Sequence, residues 1–156
     1  MTRQTEKTAV HPVNQSASGY RARATQPQED RYERGAAMLA AVDGPAGMAV
    51  VETLAKSFPD LARLVVEFPF GDIYARPGLD LRARELATVA ALCAMGTAAP
   101  QLRVHVHAAL HVGCTPQEVV EVVMQMAVYA GFPAALNGLS IVREVFASEG
   151  IALPLN

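Results

Sequence analysis

The sequence predicts an all-α protein. Three observations carry this expectation. Apolar residues recur at three- and four-residue spacing along most of the chain, no segment alternates convincingly with a period of two, and Pro, Gly, Asp and Thr stand where helices begin and end. The chain has 156 residues, 51% of them apolar, which suits one domain with a sizeable core.

Residues 1–27 are polar and without period. They carry Arg3, Lys7, Arg21 and Arg23 against Glu6, and read as a flexible N-terminal tail, with docking on a neighbouring subunit as the alternative. A helical domain follows over 28–150, and 151–156 reads as a C-terminal tail. About seven helices are expected. Tyr32, Ala36, Leu39 and Val42 form the first stripe, which Gly44-Pro45 ends. Met48, Val51, Ala55 and Phe58 form the second. Pro59 opens the third, with Leu61, Leu64, Val65 and Phe68 on its apolar side. Gly71, Pro77 and Gly78 mark 69–80 as a loop. Asp80 is placed to cap a fourth helix reaching Met95. A fifth runs from Pro100 to Gly113. Thr115-Pro116-Gln117-Glu118 is a capping box with Pro at the first helical position, so a sixth starts there. Gly131-Phe132-Pro133 separates it from a seventh, where Gly138 permits close packing. The sixth helix is polar only along Glu118, Glu121 and Gln125, which predicts burial on several sides and a subunit interface.

Composition excludes several functions. Lys and Arg total 13 against 15 Asp and Glu, so nothing calls for nucleic acid or an anionic membrane. The uncharged run 86–102 is interrupted by Gly96 and Pro100 and is shorter than the ~20 residues a membrane helix needs. Cys93 and Cys114 form no CxxC, which fits a reduced, cytoplasmic protein, and the N-terminus lacks the apolar run of a signal peptide.

The residues able to carry chemistry centre on the fifth helix. Leu102, His105, Val106, Ala109 and Val112 share a face, so His105 points to the interior or a pocket, where an imidazole can move protons near neutral pH. A satisfied core histidine is the plainer reading of that position. His107 and His111 stand four apart with Cys114 beyond them, but HAALH lacks the glutamate of HExxH and no carboxylate nearby completes a site, so no metal is predicted. Glu85, beside Arg82 and Arg84, is either a first-turn acid or a carboxylate that orients His105. Arg76 in the loop has the planar fork that holds a substrate carboxylate. Tyr74 and Tyr129 are phenol donors, although Tyr129 also suits the core.

Two segments, FGDIYARPGLDLRARELATVAAL and QLRVHVHAALHVGCTPQEVVEVVMQMAVYAGFPAALNGL, resemble the carboxymuconolactone decarboxylase family. The resemblance rests on an RxRE motif (Arg82, Glu85) and on H-x4-L-x2-G-x-T-x2-E (His105, Leu110, Gly113, Thr115, Glu118), followed by YAGFPAALN. It implies a helical fold related to alkylhydroperoxidase D and a homo-oligomer, a trimer or hexamer. The peroxidase branch of that fold uses CxxCxxxH. With its histidine laid on His105, the cysteine positions fall on Ala98 and Gln101, so the dithiol is missing. The decarboxylase branch implies cofactor-free loss of CO2 from a small carboxylated unsaturated lactone. His105 would then be general acid/base, Glu85 its partner, and Arg76, Tyr74 and Tyr129 substrate-binding. The rival expectations are a non-enzymatic oligomeric scaffold or binding protein and, less favoured, a thiol-dependent peroxidase.

Overall fold

The computed structural model describes residues 28–155, and the expected tail 1–27 lies outside them. In chain order the elements are α1 (Gln28–Ala55), α2 (Pro59–Val65), a π-helical segment (Val66–Tyr74), α3 (Leu81–Met95), α4 (Ala99–His111), α5 (Pro116–Tyr129) and α6 (Phe132–Ser148). No strand occurs among the described residues, and the protein is all-α.

Two boundaries differ from expectation. The first two predicted helices are arms of one helix, α1, kinked at Gly44 (φ 59°, ψ −152°), a conformation open in practice only to glycine. Pro45 follows without loss, because its missing N–H falls at the start of the second arm. The second difference is that the first half of the expected loop 69–80 is helical, because the chain widens to π winding through Tyr74 around Pro69. Contacts from α1 and α2 hold the segment there. Arg31 Nε donates to Asp72 Oδ1 and Oδ2 at 3.0 and 2.9 Å, and Arg34 Nε donates to the Gly71 carbonyl at 2.8 Å. Glu67 is buried and accepts from Arg63 Nη1 at 3.2 and 3.0 Å.

The helix starts formed as their local sequence dictates. Asp80 Oδ1 accepts from the Ala83 N–H at 2.7 Å. Thr115 and Glu118 make both halves of the capping box, at 3.2 and 2.7 Å. Arg82 Nη2 donates to both oxygens of Glu118 at 2.6 Å, tying the start of α3 to the start of α5. At Gly138 a Cβ would lie 2.7 Å from Cys93 Sγ, so α6 packs there as close as the backbone allows.

The core has two parts, and α4 is shared between them. Val106 and Ala109 belong to a cluster with Val89, Val123, Val142 and Phe146 from α3, α5 and α6. Ala108 belongs to another with Leu39, Val42, Val51, Ala62 and Val66, and Val112 packs against both. Each buried aliphatic side chain contributes about 1.5–3 kcal/mol. Ile151 and Leu155, within the expected C-terminal tail, pack on the first cluster. By length and composition Arg31–Ala55 matches a membrane span, with mean hydropathy 1.3. Its break at Gly44 and its buried Leu39, Val42 and Val51 are features of a core helix.

Candidate active site

At the seam between the two cores, three of the sequence-predicted residues meet. Glu85, four residues into α3, is completely buried. Its Oε1 accepts from the Tyr74 hydroxyl at 2.7 Å, and its Oε2 lies 2.9 Å from His105 Nδ1. A buried carboxylate so served is held in one orientation. It in turn fixes the imidazole with Nδ1 protonated and Nε2 as the working nitrogen. Thr88 Oγ1 lies 2.9 Å from the Tyr74 oxygen and also 2.9 Å from the Arg84 carbonyl, and its one proton can serve either. Tyr74 reaches Glu85 because the π segment ends at Tyr74 and the turn before Asp80 brings α3 back alongside it.

The electrostatics favour a charged imidazole. Burial opposes the charge on His105. The hydrogen bond to Glu85, its negative charge and that of Asp43 outweigh this and hold His105 above its ordinary value. Burial, with Glu85 adding to it, keeps the Tyr74 phenol well above its usual range. Tyr74 therefore stays a neutral donor.

Sequence reading passed over Asp43. This α1 side chain stands just before the kink, and its carboxyl is pushed up to about 6. Burial is the main cause, Glu85 adds to it, and His105 and His111 oppose it. Its Oδ1 is buried without a hydrogen-bond partner among the described residues, as is Arg84 Nε. Arg84 Nη2 donates to the Arg76 carbonyl at 2.9 Å, and its guanidinium lies 5.7 Å from the centre of the Tyr74 ring. The Asp43 signal was present in the chain as an acid inside an otherwise apolar stripe.

The other expected residues are placed differently. Arg76 is on the exposed turn, where its backbone carbonyl makes the contact just described. Tyr129 ends α5 at 76% exposure and is no part of the Tyr74–Glu85–His105 hydrogen bonds, against the core position its sequence suited. His107 Nδ1 pairs with Glu149 Oε1 at 2.7 Å, while the His111 ring lies by Gly44, so the two histidines serve different neighbours.

A family model described as carboxymuconolactone decarboxylase matches residues 59–144. The 4-carboxymuconolactone decarboxylase of Acinetobacter baylyi is 33% identical over 125 residues, which is 80% of this chain and 92% of that one. The chain belongs to the carboxymuconolactone decarboxylase family. Two further relatives show how varied its similar proteins are. An uncharacterized 15.0 kDa protein of Paracoccus denitrificans is 36% identical over 64% of this chain and 75% of its own length. The nitrosuccinic acid decarboxylase npaB of Metarhizium robertsii is 31% identical over 52% of this chain and 56% of its own. Tyr74, Glu85 and His105 all fall inside the stretch matched by the family model, and Asp43 falls outside it.

The thiols of this family member are placed unlike a redox pair. Cys93 and Cys114 are both free and buried, and each contacts a different carbonyl, that of Ala134 at 3.5 Å and that of Arg82 at 3.7 Å. Burial pushes both thiols up, and Arg82 only partly offsets it at Cys114, which keeps thiolate scarce at neutral pH.

Proposed function

We propose that the protein is a cofactor-free carboxy-lyase in which His105 is general acid/base and Glu85 orients it. The observation that carries this reading is the Tyr74–Glu85–His105 chain, which ends in an imidazole nitrogen with no hydrogen-bond partner among the described residues. The decarboxylase relatives support it. The substrate class is a small acid whose carboxylate stands next to an electron sink, as in 4-carboxymuconolactone or nitrosuccinic acid. The bond from carbon to the carboxylate breaks, and CO2 departs. The electron pair passes into the unsaturated lactone or the nitro group, and His105 Nε2 delivers a proton to carbon. Glu85, hydrogen-bonded at Nδ1, stabilises the imidazolium before the transfer. Arg76, on the turn that Arg84 anchors, holds the substrate carboxylate or a second anionic group, with Tyr74 and Tyr129 as further substrate contacts. Tyr129, exposed at the end of α5, makes its substrate contact where subunits meet. The same reading makes the protein a cytoplasmic homo-oligomer, a trimer or hexamer.

The test is CO2 release from γ-carboxymuconolactone and from nitrosuccinate, with loss of ultraviolet absorbance as a second readout for the lactone. The parent should turn over one of them. His105→Ala should keep its fold and lose at least ~100-fold in kcat, the usual scale of general acid–base catalysis. Parent-like turnover by His105→Ala removes the role given to that residue. A folded parent inert on both substrates removes the lyase reading for this class.

A further inference from the structure

The lyase reading uses Tyr74, Glu85 and His105 and leaves one half-buried carboxylate at the site, with a buried Oδ1, without a task. Asp43 is the last residue of the first arm of α1, and the chain beyond it is built to make room for it. Gly44 turns the backbone, and a Cβ there would sit 3.4 Å from His111 Cε1. Gly47 leaves a notch, since a Cβ at that position would lie 2.3 Å from the Asp43 Cβ and 2.9 Å from Oδ2. Leu39 and Val42 of α1 pack in one cluster with Ala108, one turn beyond His105. The ionisable groups around Asp43 are His105 and His111 from α4, Glu85 from α3 and Tyr74 from the π segment.

A buried carboxylate oxygen with no hydrogen-bond partner is costly, and native proteins retain few of them. Nothing in the packing demands one here, because Val42 and Leu39 beside it are ordinary core residues. Its electrostatic effect falls on the imidazole. Glu85 reaches His105 from α3 through a hydrogen bond, and Asp43 acts on it from α1 through charge alone.

We propose that Asp43 is a third ionisable member of this site, a positioning residue that acts through His105 by holding the proton on its imidazole. The proposal rests on the lyase reading for its purpose but not for its test. Asp43 lies outside the stretch the family model matches, so this control is added to the Glu85–His105 pair by the N-terminal helix. The two groups titrate as a coupled set. The working form needs His105 protonated, below its raised midpoint, and Asp43, once ionised above about 6, extends the range over which that proton is held.

The experiment is an NMR titration of the His105 ring in the substrate-free protein. Asp43→Asn should lower the His105 midpoint by about half a unit to one unit, a 3- to 10-fold loss of proton affinity. The alkaline limb of kcat/KM should move down by the same amount, with little change at pH values below the limb. Asp43→Glu should return both part-way. A merely structural role would lower activity at every pH and leave the midpoint in place, and that result overturns the proposal. Should the Asp43 variants not fold, the reciprocal titration decides. In His105→Gln the Asp43 carboxyl should titrate higher than in the parent, and an unchanged midpoint overturns the proposal. A shifted midpoint in a protein inert on both substrates supports the coupling while removing the lyase reading. Good turnover with an unmoved midpoint does the reverse.

Discussion

Asp43 is destabilising where it stands, and its sign can be worked out. Its carboxyl is raised to about 6 by burial, against an ordinary value near ~4. Between about pH 4 and pH 6 the folded chain therefore holds more protons at this residue than the unfolded one. Stability falls as pH rises through that window and stays reduced above it. Asp43→Asn should raise the melting temperature at pH 8 by a few degrees, on the order of 1–2 kcal/mol once the residue's partial exposure is allowed for. The gain should vanish near pH 4, and equal melting of parent and variant at pH 8 would falsify the buried charge. His105 runs the other way. Its raised value means the Glu85–His105 pair stabilises the fold fully below about 6.5 and loses that contribution as pH climbs through the folded midpoint. Both residues were visible in the sequence, but only His105 drew notice. A histidine on an apolar stripe announces itself. The burial of an aspartate beside a glycine depends on which helices later close over it.

Among the elements, what was legible was local. Asp80, Thr115 and Glu118 do their capping within three residues, so their sequence settles the starts of α3 and α5. Gly44-Pro45 carries the same letters whether a helix stops or bends, and the bend is fixed by packing of both arms on α4 and the π segment. Val66–Tyr74 was read as partly loop because Pro69 and Gly71 normally interrupt helices, and the arginines that rescue it lie about 40 residues earlier in α1. Gly138 gives a test at this scale. Gly138→Ala gains about 1 kcal/mol of helix propensity and forces a methyl within 2.7 Å of Cys93 Sγ. Overpacking of this kind costs about 1–3 kcal/mol, so the variant should be less stable or no better than neutral. Adding Cys93→Ala should recover part of any loss, since the methyl still lies 2.9 Å from Val123 Cγ1. Denaturant unfolding of the two single variants and the double measures the coupling, and strict additivity would mean that the contact is not the cause.

Across the whole molecule, the all-α class was readable from periodicity alone, while the two-part core and its shared helix were not, because a stripe does not say which neighbour it meets. The wide apolar surface of α5 was read as an interface. Met124, Val128, Tyr129, Phe132 and Leu136 are all more than half exposed around the α5–α6 turn, a cluster of the kind that marks association. Changing Val128 and Phe132 together to Asp should reduce the assembled mass seen by light scattering while circular dichroism stays helical. An unchanged mass would place the contact elsewhere. The length of the chain matters at this scale as much as its chemistry. Winding as a π-helix takes up more residues per turn than an α-helix, and each residue of an α-helix carries about 100° of rotation. Deleting one residue from Val66–Tyr74 lets that stretch relax toward α winding and swings the phenol off the Glu85 carboxylate, although no atom that touches either has been replaced. The segment is a spacer that counts, and a protein of this design is open to losing its Tyr74–Glu85 contact through a single-codon deletion that removes neither side chain.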